Sequence, residues 1–308
     1  MKAANASKKK CAACGKEGDS LKSCTACKLV KYCNIACQKA HRPTHKKECR
    51  QRAAELLDES LLFKEPPKDD CPICFLPYTH ESDESVHKNC CGKVLCIGCI
   101  HGVMERAIAE RDAQLDVCPY CREQAADSDQ EEIERLKKRI QCGDAVAFNI
   151  MGATYETGSK GVPVNLKKAL EMWIRAGELG CSSGYFNAGG AYRRGGGVGM
   201  DVEKAKHYYG LAAMGGDVHA RHNIGSMEAM AGNINLAIKH YVIAARAGYK
   251  GSLDDLKEYY LDGDLPKEEY GKILRAYQKS KDEMKSEKRD EAVRARNQIR
   301  AMGFNGYL

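Results

Sequence analysis

The second half of the chain carries a pattern of small, aromatic and apolar positions that returns every 36 to 37 residues and shortens to 32 in the third copy. An alanine four residues before an aromatic residue lies on the same helix face, so a neighbouring helix can approach beside the ring. The pattern therefore predicts stacked pairs of helices with a glycine ending each pair. The columns in register are Gly152, Gly189 and Gly225; Tyr155 and Tyr192, with Glu228 in the third copy; Ala169, Ala205 and Ala237; Trp173, Tyr209 and Tyr241; Ala176, Ala212 and Ala244; and Gly180, Gly216 and Gly248.

Four further segments have helical patterns. Apolar residues recur at helical spacing within Lys46–Phe63 and within Ile100–Ala113. Glu131–Gln141 and Tyr277–Met302 are charged and helical in pattern, and we expect the last of these to cap the helical array or to fray into solvent. Prolines and acidic residues after Phe63 predict a linker before residue 71.

Cysteine changes the picture of the first half. The chain has 17 cysteines, of which 15 precede Arg122 in pairs with metal-ligand spacing. Met1–Lys10 is polar and basic and does not resemble a signal peptide, and no stretch approaches the roughly 18 apolar residues of a membrane span. We therefore expect a chain in a reducing compartment, the cytoplasm or the nucleus, with zinc sites rather than disulfides and no membrane partner.

Residues 11–49 hold eight potential ligands in four pairs. Pairs with two intervening residues suit tight knuckles, and pairs with three suit one helical turn. The spacing, together with Tyr32-Cys33 and Cys37-Gln38, resembles a MYND-type zinc finger. The resemblance implies two interleaved zinc sites: Cys11, Cys14, Cys33 and Cys37 in one, and Cys24, Cys27, His45 and Cys49 in the other.

Two residues within this motif, Arg42 and His41, affect what its surface can bind or which residues bind the metal. The family usually carries a tryptophan where this chain has Arg42, and an arginine does not replace the aromatic wall of the family's proline-peptide groove. His41 is a spare histidine that we expect on the surface.

Residues 71–122 contain eight more cysteines. The knuckles Cys71-Pro72-Ile73-Cys74 and Cys118-Pro119-Tyr120-Cys121, with the segment Cys91–Cys99 between them, resemble a RING finger. The resemblance implies a first zinc site of Cys71, Cys74, Cys96 and Cys99, and a second that includes Cys91, Cys118 and Cys121.

The second site needs a fourth ligand. The family usually has histidine where this chain has Lys93, and a protonated lysine cannot bind zinc. Cys90 is the nearest substitute, with His87 and His101 as the alternatives. With Cys90 included, the sequence predicts four zinc ions per chain.

A RING finger suggests ubiquitin ligase activity. Members that act as ligases hold a ubiquitin-conjugating enzyme with an apolar first knuckle, an apolar or aromatic residue on the following helix and the proline of the last knuckle. By resemblance these residues are Ile73, Val103 and Pro119, and Arg122 stands where active members often place a basic residue. Many ligases have tryptophan at the position of Val103, so a structural finger is the competing interpretation.

The net charge of +7 at first suggests a nucleic-acid partner, but the charge of the predicted zinc sites weakens that suggestion. Residues 1–50 carry 13 Lys and Arg against 3 Asp and Glu, a charge of +10. Zinc-bound thiols are deprotonated, so a four-cysteine site is formally −2 and a three-cysteine, one-histidine site is −1. The four predicted sites together contribute −7, which brings the whole chain to about zero and disfavours nucleic acid as a partner.

The repeats resemble Sel-1-like repeats, relatives of the tetratricopeptide family, over residues 143–249, with a degenerate fourth unit up to about Ala276. The resemblance implies a right-handed superhelix whose concave face binds partners. The predicted fold class is thus small zinc-stabilised domains followed by an all-α helical-repeat solenoid. The domains are a basic tail (1–10), a MYND-type finger (11–49), a helix and linker (50–70), a RING-like finger (71–122), helical repeats (131–276) and a charged C-terminal helix and tail (277–308).

Two functions fit this organisation. One is a zinc-binding adaptor that holds proteins or peptides through its MYND-type finger and its repeats. The alternative is a RING-type ubiquitin ligase in which the repeats recruit substrate and residues 71–122 recruit a ubiquitin-conjugating enzyme.

Overall fold

The computed structural model describes residues 10–18, 20–24, 30–62, 69–80, 84–109 and 117–302, with the backbone alone for residues 50–62 and 107. The chain divides into two compact units, Met1–Lys64 and Glu65–Leu308. A small cysteine-rich domain precedes an all-α helical-repeat solenoid, as the sequence predicts. No helix in the described ranges is long and apolar enough to cross a membrane. The finer domain boundaries stay predictions.

The first unit joins a two-stranded ribbon to a long helix. Strand β1 (Lys22–Ser23) pairs antiparallel with β2 (Lys31–Tyr32), and helix α1 spans Ile35–Leu62. The Asn34 side chain caps α1 by accepting a hydrogen bond from the backbone N–H of Cys37 at 2.8 Å. The helix predicted over Lys46–Phe63 was therefore too short at its start. The first turns of α1 place potential metal ligands where apolar residues normally lie, so hydrophobic periodicity does not report them.

The second unit begins with a cysteine-rich segment, the RING-like finger predicted over residues 71–122. Strand β3 (Ser85–Lys88) pairs antiparallel with β4 (Lys93–Cys96), and helix α2 (Ile97–Ala109) follows directly. Leu95, Ile97 and Ile100 are buried and form its small apolar centre. The end predicted for this helix, Ala113, lies outside the described residues.

Nine α-helices form the array up to Met284. They are α3 (Asp129–Gln141), α4 (Ala145–Thr157), α5 (Leu166–Glu178), α6 (Ser182–Arg194), α7 (Val202–Met214), α8 (Val218–Met230), α9 (Ile234–Arg246), α10 (Lys250–Leu261) and α11 (Lys267–Met284). Sequential helices pack against one another along the array.

Glycine–aromatic contacts hold each helix pair together. A Cβ atom on Gly189 would lie 2.7 Å from the Tyr209 ring, and one on Gly225 would lie 2.8 Å from the Tyr241 ring. Trp173 lies against Gly152 in the same way. The column of Trp173, Tyr209 and Tyr241 thus belongs to the core, and the alanine columns beside it are fully buried.

The finger packs against one edge of the array. We call this side the inter-repeat edge; the finger meets it at the turns before α4, α8 and α10 and at the first residues of α8, residues 142–144, 215–219 and 247–249. His87 Nε2 lies 3.1 Å from Asp144 Oδ2 at the first turn. His219 Nε2 donates to the carbonyl of His80 at 2.8 Å, and His80 Nε2 donates to the carbonyl of Ala247 at 2.5 Å. The finger therefore bridges several repeats.

The C-terminal region is two helices rather than the single helix predicted over Tyr277–Met302. Helix α11 ends at Met284, Lys285 is extended, and α12 (Glu287–Ala301) packs against α2 of the finger. The buried face of α12 consists of Arg289, Ala292 and Arg296. Two of these three residues are charged, which explains why a search for apolar periodicity treats this helix as solvent-exposed.

Candidate metal centres

The first unit brings its cysteines together in two groups. The sulfur atoms of Cys11, Cys14, Cys33 and Cys37 all lie within 4.8 Å of one another. Cys14 and Cys33 are 3.7 Å apart, and Cys33 and Cys37 are 3.3 Å apart. Four thiols at this separation fit the tetrahedral preference of zinc.

The second group uses the i, i+4 spacing on α1. Cys24, His45 and Cys49 offer ligand atoms within 4.8 Å of one another, and the sulfur atoms of Cys24 and Cys49 are 3.8 Å apart. The fourth predicted ligand, Cys27, lies outside the described residues. The two groups alternate along the chain, as an interleaved finger requires.

His41 was expected on the surface but supports this second group instead. Its ring stacks on that of His45 with centroids 5.6 Å apart, and its Nδ1 lies 3.1 Å from the hydroxyl of buried Tyr32. Such contacts hold a ligating imidazole in a fixed orientation. Arg42 is exposed beside it.

The RING-like finger also contains two groups. The first is Cys71, Cys74, Cys96 and Cys99, and the second is Cys90, Cys91, Cys118 and Cys121. In the second group, Cys90 and Cys121 are 3.5 Å apart, and Cys91 and Cys118 are 3.9 Å apart. The structure thus brings Cys90, rather than either histidine, to the second group.

The β3–β4 turn explains how adjacent cysteines reach one point. The N–H of Gly92 donates to the carbonyl of Lys88 at 2.7 Å, and Gly92 has φ +73°, a conformation that glycine adopts without strain. His87 points to Asp144 instead, and His101 Nδ1 lies 3.5 Å from Glu105 Oε2.

Three knuckles share one backbone turn. In each, the residue after the second cysteine is left-handed and its N–H donates to the carbonyl of the first cysteine at 2.8 or 2.9 Å. These residues are Gly15, Phe75 and Arg122, with φ of 71°, 57° and 65°. Arg122 is therefore part of a knuckle turn as well as an exposed cation.

The electrostatics of the groups favour a bound dication. The backbone N–H of Cys14 lowers the pKa of the Cys11 thiol to about 6. Burial opposes ionisation of Cys71, yet backbone N–H groups bring its pKa down to about 7. The hydrogen bond with Cys33 raises the pKa of Cys37 to about 12. One thiol in such a group ionises easily. A bound divalent cation stabilises the thiolate form of the neighbouring cysteines, which then lose their protons.

The predicted contacts for a conjugating enzyme lie outside the cysteine groups. Ile73 is 37% exposed and Arg122 is exposed, whereas Val103 and Pro119 are half-buried. Their role as an enzyme-binding surface stays a prediction.

Comparison with known families identifies two of the modules. Residues 11–49 match the MYND finger, and residues 149–181, 182–217 and 222–249 match the Sel1 repeat. The chain joins a MYND finger to Sel1 repeats. The MYND finger is a zinc-binding module, and both modules mediate protein interactions. Residues 71–122 lie outside these matches, so the RING-like finger stays a prediction supported by its cysteine groups.

Three solved structures are similar to parts of the chain. A Sel1 repeat protein from Oxalobacter formigenes is 30% identical with a TM-score of 0.43, over 49% of this chain and 64% of that one. The protective antigen c5321 of uropathogenic Escherichia coli, which displays an SLR fold, is 25% identical with a TM-score of 0.42, over 50% and 33%. The immunity protein Pa5087 from Pseudomonas aeruginosa is 21% identical with a TM-score of 0.36, over 59% and 64%. The chain spans less than two thirds of the length of each.

Proposed function

We propose that this protein is a cytoplasmic or nuclear adaptor that holds protein or peptide partners through its MYND finger and its Sel1 repeats. We further propose that it carries four zinc ions, two in residues 11–49 and two in residues 71–121. Sixteen ligands in four groups support this number, of which 15 fall among the described residues.

The observation that carries the adaptor proposal is the recurrence of an exposed apolar side chain in successive repeats. These side chains lie in the turns within helix pairs or at the helix end that precedes such a turn, residues 158–165, 195–201, 230–233 and 261–266, which we name the intra-repeat edge. Val164, Met200, Met230 and Leu261 are between 59% and 78% exposed. Repeats that stack in register bring such turns to one side of the array. If these side chains form one contiguous surface, such a surface is typical of protein-binding sites.

A peptide library displayed on phage tests this proposal. We expect selection on the wild-type protein to enrich ligands whose affinity falls about tenfold or more in a Met200→Asp/Met230→Asp double variant. Met302→Asp is the matched control, because Met302 is 66% exposed but lies at the end of α12. The adaptor proposal fails for this edge if enriched ligands bind all three proteins equally, or if no saturable ligand is selected.

The second candidate function is a RING-type ubiquitin ligase, which the exposure of Ile73 and Arg122 favours. In that case the Arg122 guanidinium would hold the charged conjugating enzyme in a reactive geometry, because arginine offers several donors in a rigid fork. Arg122→Ala should then cut ubiquitin discharge, and Ile73→Ala should abolish binding of the conjugating enzyme. A zinc-replete, folded wild-type protein that is inactive with a broad panel of conjugating enzymes decides for the adaptor.

A further inference from the structure

Arg289 of α12 reaches across the second unit to the first cysteine group of the RING-like finger. Its Nη1 donates to the carbonyl of Pro77 at 2.6 Å, and its Nη2 donates to the carbonyl of Leu76 at 3.1 Å. Nη2 also lies 3.6 Å from the sulfur of Cys74. The side chain is only 3% exposed. A buried guanidinium therefore lies against the first knuckle and binds two carbonyl groups that follow it in the chain.

The negative charge of the first cysteine group, once it binds zinc, explains why a buried arginine is stable beside it. Four thiolates around one zinc ion leave a net charge of −2, which is costly to bury without compensation. A guanidinium carries +1 and donates to sulfur as well as to carbonyl groups, so it offsets part of that charge. The group in turn supplies the anionic partner that the buried cation needs.

Helix α12 also fits closely against α2. A Cβ atom on Gly98 would lie 2.8 Å from the backbone nitrogen of Arg289, and Gly102, one turn later, faces Lys288. The absence of a side chain at Gly98 lets the α12 backbone approach α2. The position of Arg289 is thus fixed by packing as well as by its hydrogen bonds.

We propose that Arg289 is a positioning residue for the first zinc site of the RING-like finger, and that it couples metal binding at that site to docking of α12. Zinc holds the knuckle that receives Arg289, and Arg289 lowers the cost of the thiolate charge around zinc. Loss of this zinc ion releases α12 from α2. This inference rests on the metal loading proposed above and goes beyond the adaptor function, since it assigns the C-terminal helix to the metal site.

Zinc release from the full-length protein tests the coupling. In Arg289→Met, which keeps the aliphatic stem and removes the charge, we expect one of the four ions to pass to a chelator about tenfold or more faster than in wild type. Alkylation of Cys74 should accelerate by a similar factor, which identifies the site. Arg294→Met, an exposed position on the same helix, should behave as wild type, and Arg289→Lys should lie between.

A second measurement uses the wild type alone and does not depend on the folding of a variant. Hydrogen exchange of α12 should become fast when the chelator removes zinc, while α5–α9 keep their protection. Wild-type release rates for all ions in Arg289→Met, or unchanged protection of α12 after chelation, would overturn the coupling. A wild-type protein that binds no zinc in residues 71–121 would instead overturn the metal loading on which it rests.

Discussion

Gly184 is a position where the array should not accept one extra carbon atom without a shift of the backbone. It lies in the first turn of α6 and faces α5. A Cβ atom there would lie 2.5 Å from the carbonyl oxygen of Trp173, 2.6 Å from the Ala176 Cβ and 2.8 Å from the backbone nitrogen of Gly177. Two of these three atoms belong to the backbone, so no rotamer change relieves the overlap and the two helices must separate.

The expected magnitude is the difference of two terms. Overpacking of a close contact costs about 1–3 kcal/mol. Alanine favours a helix over glycine by about 1 kcal/mol. Because the overlap at Gly184 is mainly with backbone atoms, we take its cost as about 2–3 kcal/mol. Subtracting the helix preference of alanine, we expect Gly184→Ala to lower the free energy of unfolding by about 1–2 kcal/mol. Gly210→Ala is the matched control, because among the described residues no atom apart from its own helix backbone lies within 4 Å of the added carbon. It should raise the free energy of unfolding by up to about 1 kcal/mol.

Urea unfolding followed by tryptophan fluorescence measures this difference. Trp173 is the single tryptophan of the chain and lies buried on α5 beside Gly184, so the signal reports the array and not the fingers. The two variants should shift the urea midpoint in opposite directions from wild type. A Gly184→Ala protein with a midpoint at or above that of wild type would refute the reasoning, because it would mean that α5 and α6 separate without cost.

Three further predictions follow from the sites and the core. Elemental analysis should find four zinc ions per chain, and chelation should unfold the fingers while the array keeps its helical circular dichroism; a zinc content of two or fewer contradicts this. Cys90→Ser should release one ion, whereas His87→Ala and His101→Ala should keep all four; four ions in Cys90→Ser would disprove the assignment. Burial, together with the charge of Arg221, lowers the pKa of His240 from 6.5 to about 4. The unfolded chain therefore takes up this proton first, and the free energy of unfolding should fall by about 2 kcal/mol between pH 7 and pH 5. His240→Gln should lose this share of the pH dependence in urea titrations, and an unchanged dependence would show that His240 does not titrate in this range.

The repeats could be predicted from the sequence because the residues that define the pattern also make the contacts between helices. Gly189 and Tyr209 touch each other, and the same pair recurs one repeat later as Gly225 and Tyr241. The cysteine groups could be predicted for a related reason, because the two members of most ligand pairs are only three or four positions apart in the sequence. Cys90 was chosen over His87 from its proximity to Cys91, and the structure brings Cys90 to that group. The conformation of the β3–β4 turn, which lets two adjacent cysteines reach one group, is not determined by spacing alone.

Two helices show where sequence patterns fail. The start of α1 carries ligands on its inner face, so its periodicity is one of cysteine and histidine rather than of apolar residues. Helix α12 packs through Arg289 and Arg296, which a hydrophobic pattern assigns to solvent. In both cases the partner of the buried face is charged or metal-binding, and for α12 that partner lies 212 to 215 residues away in sequence.

The docking of the finger along the inter-repeat edge constrains how this protein can evolve. An ordinary repeat array is nearly one-dimensional, so a unit can be gained or lost with little effect on distant units. Here the finger contacts Asp144 at one end of the array and Ala247 and Arg289 towards the other, across separations of 57, 167 and 212 residues. Deleting a unit such as residues 182–217 would move these contacts out of reach of one another. The length of the finger thus sets how many repeats can lie between its contacts with the array.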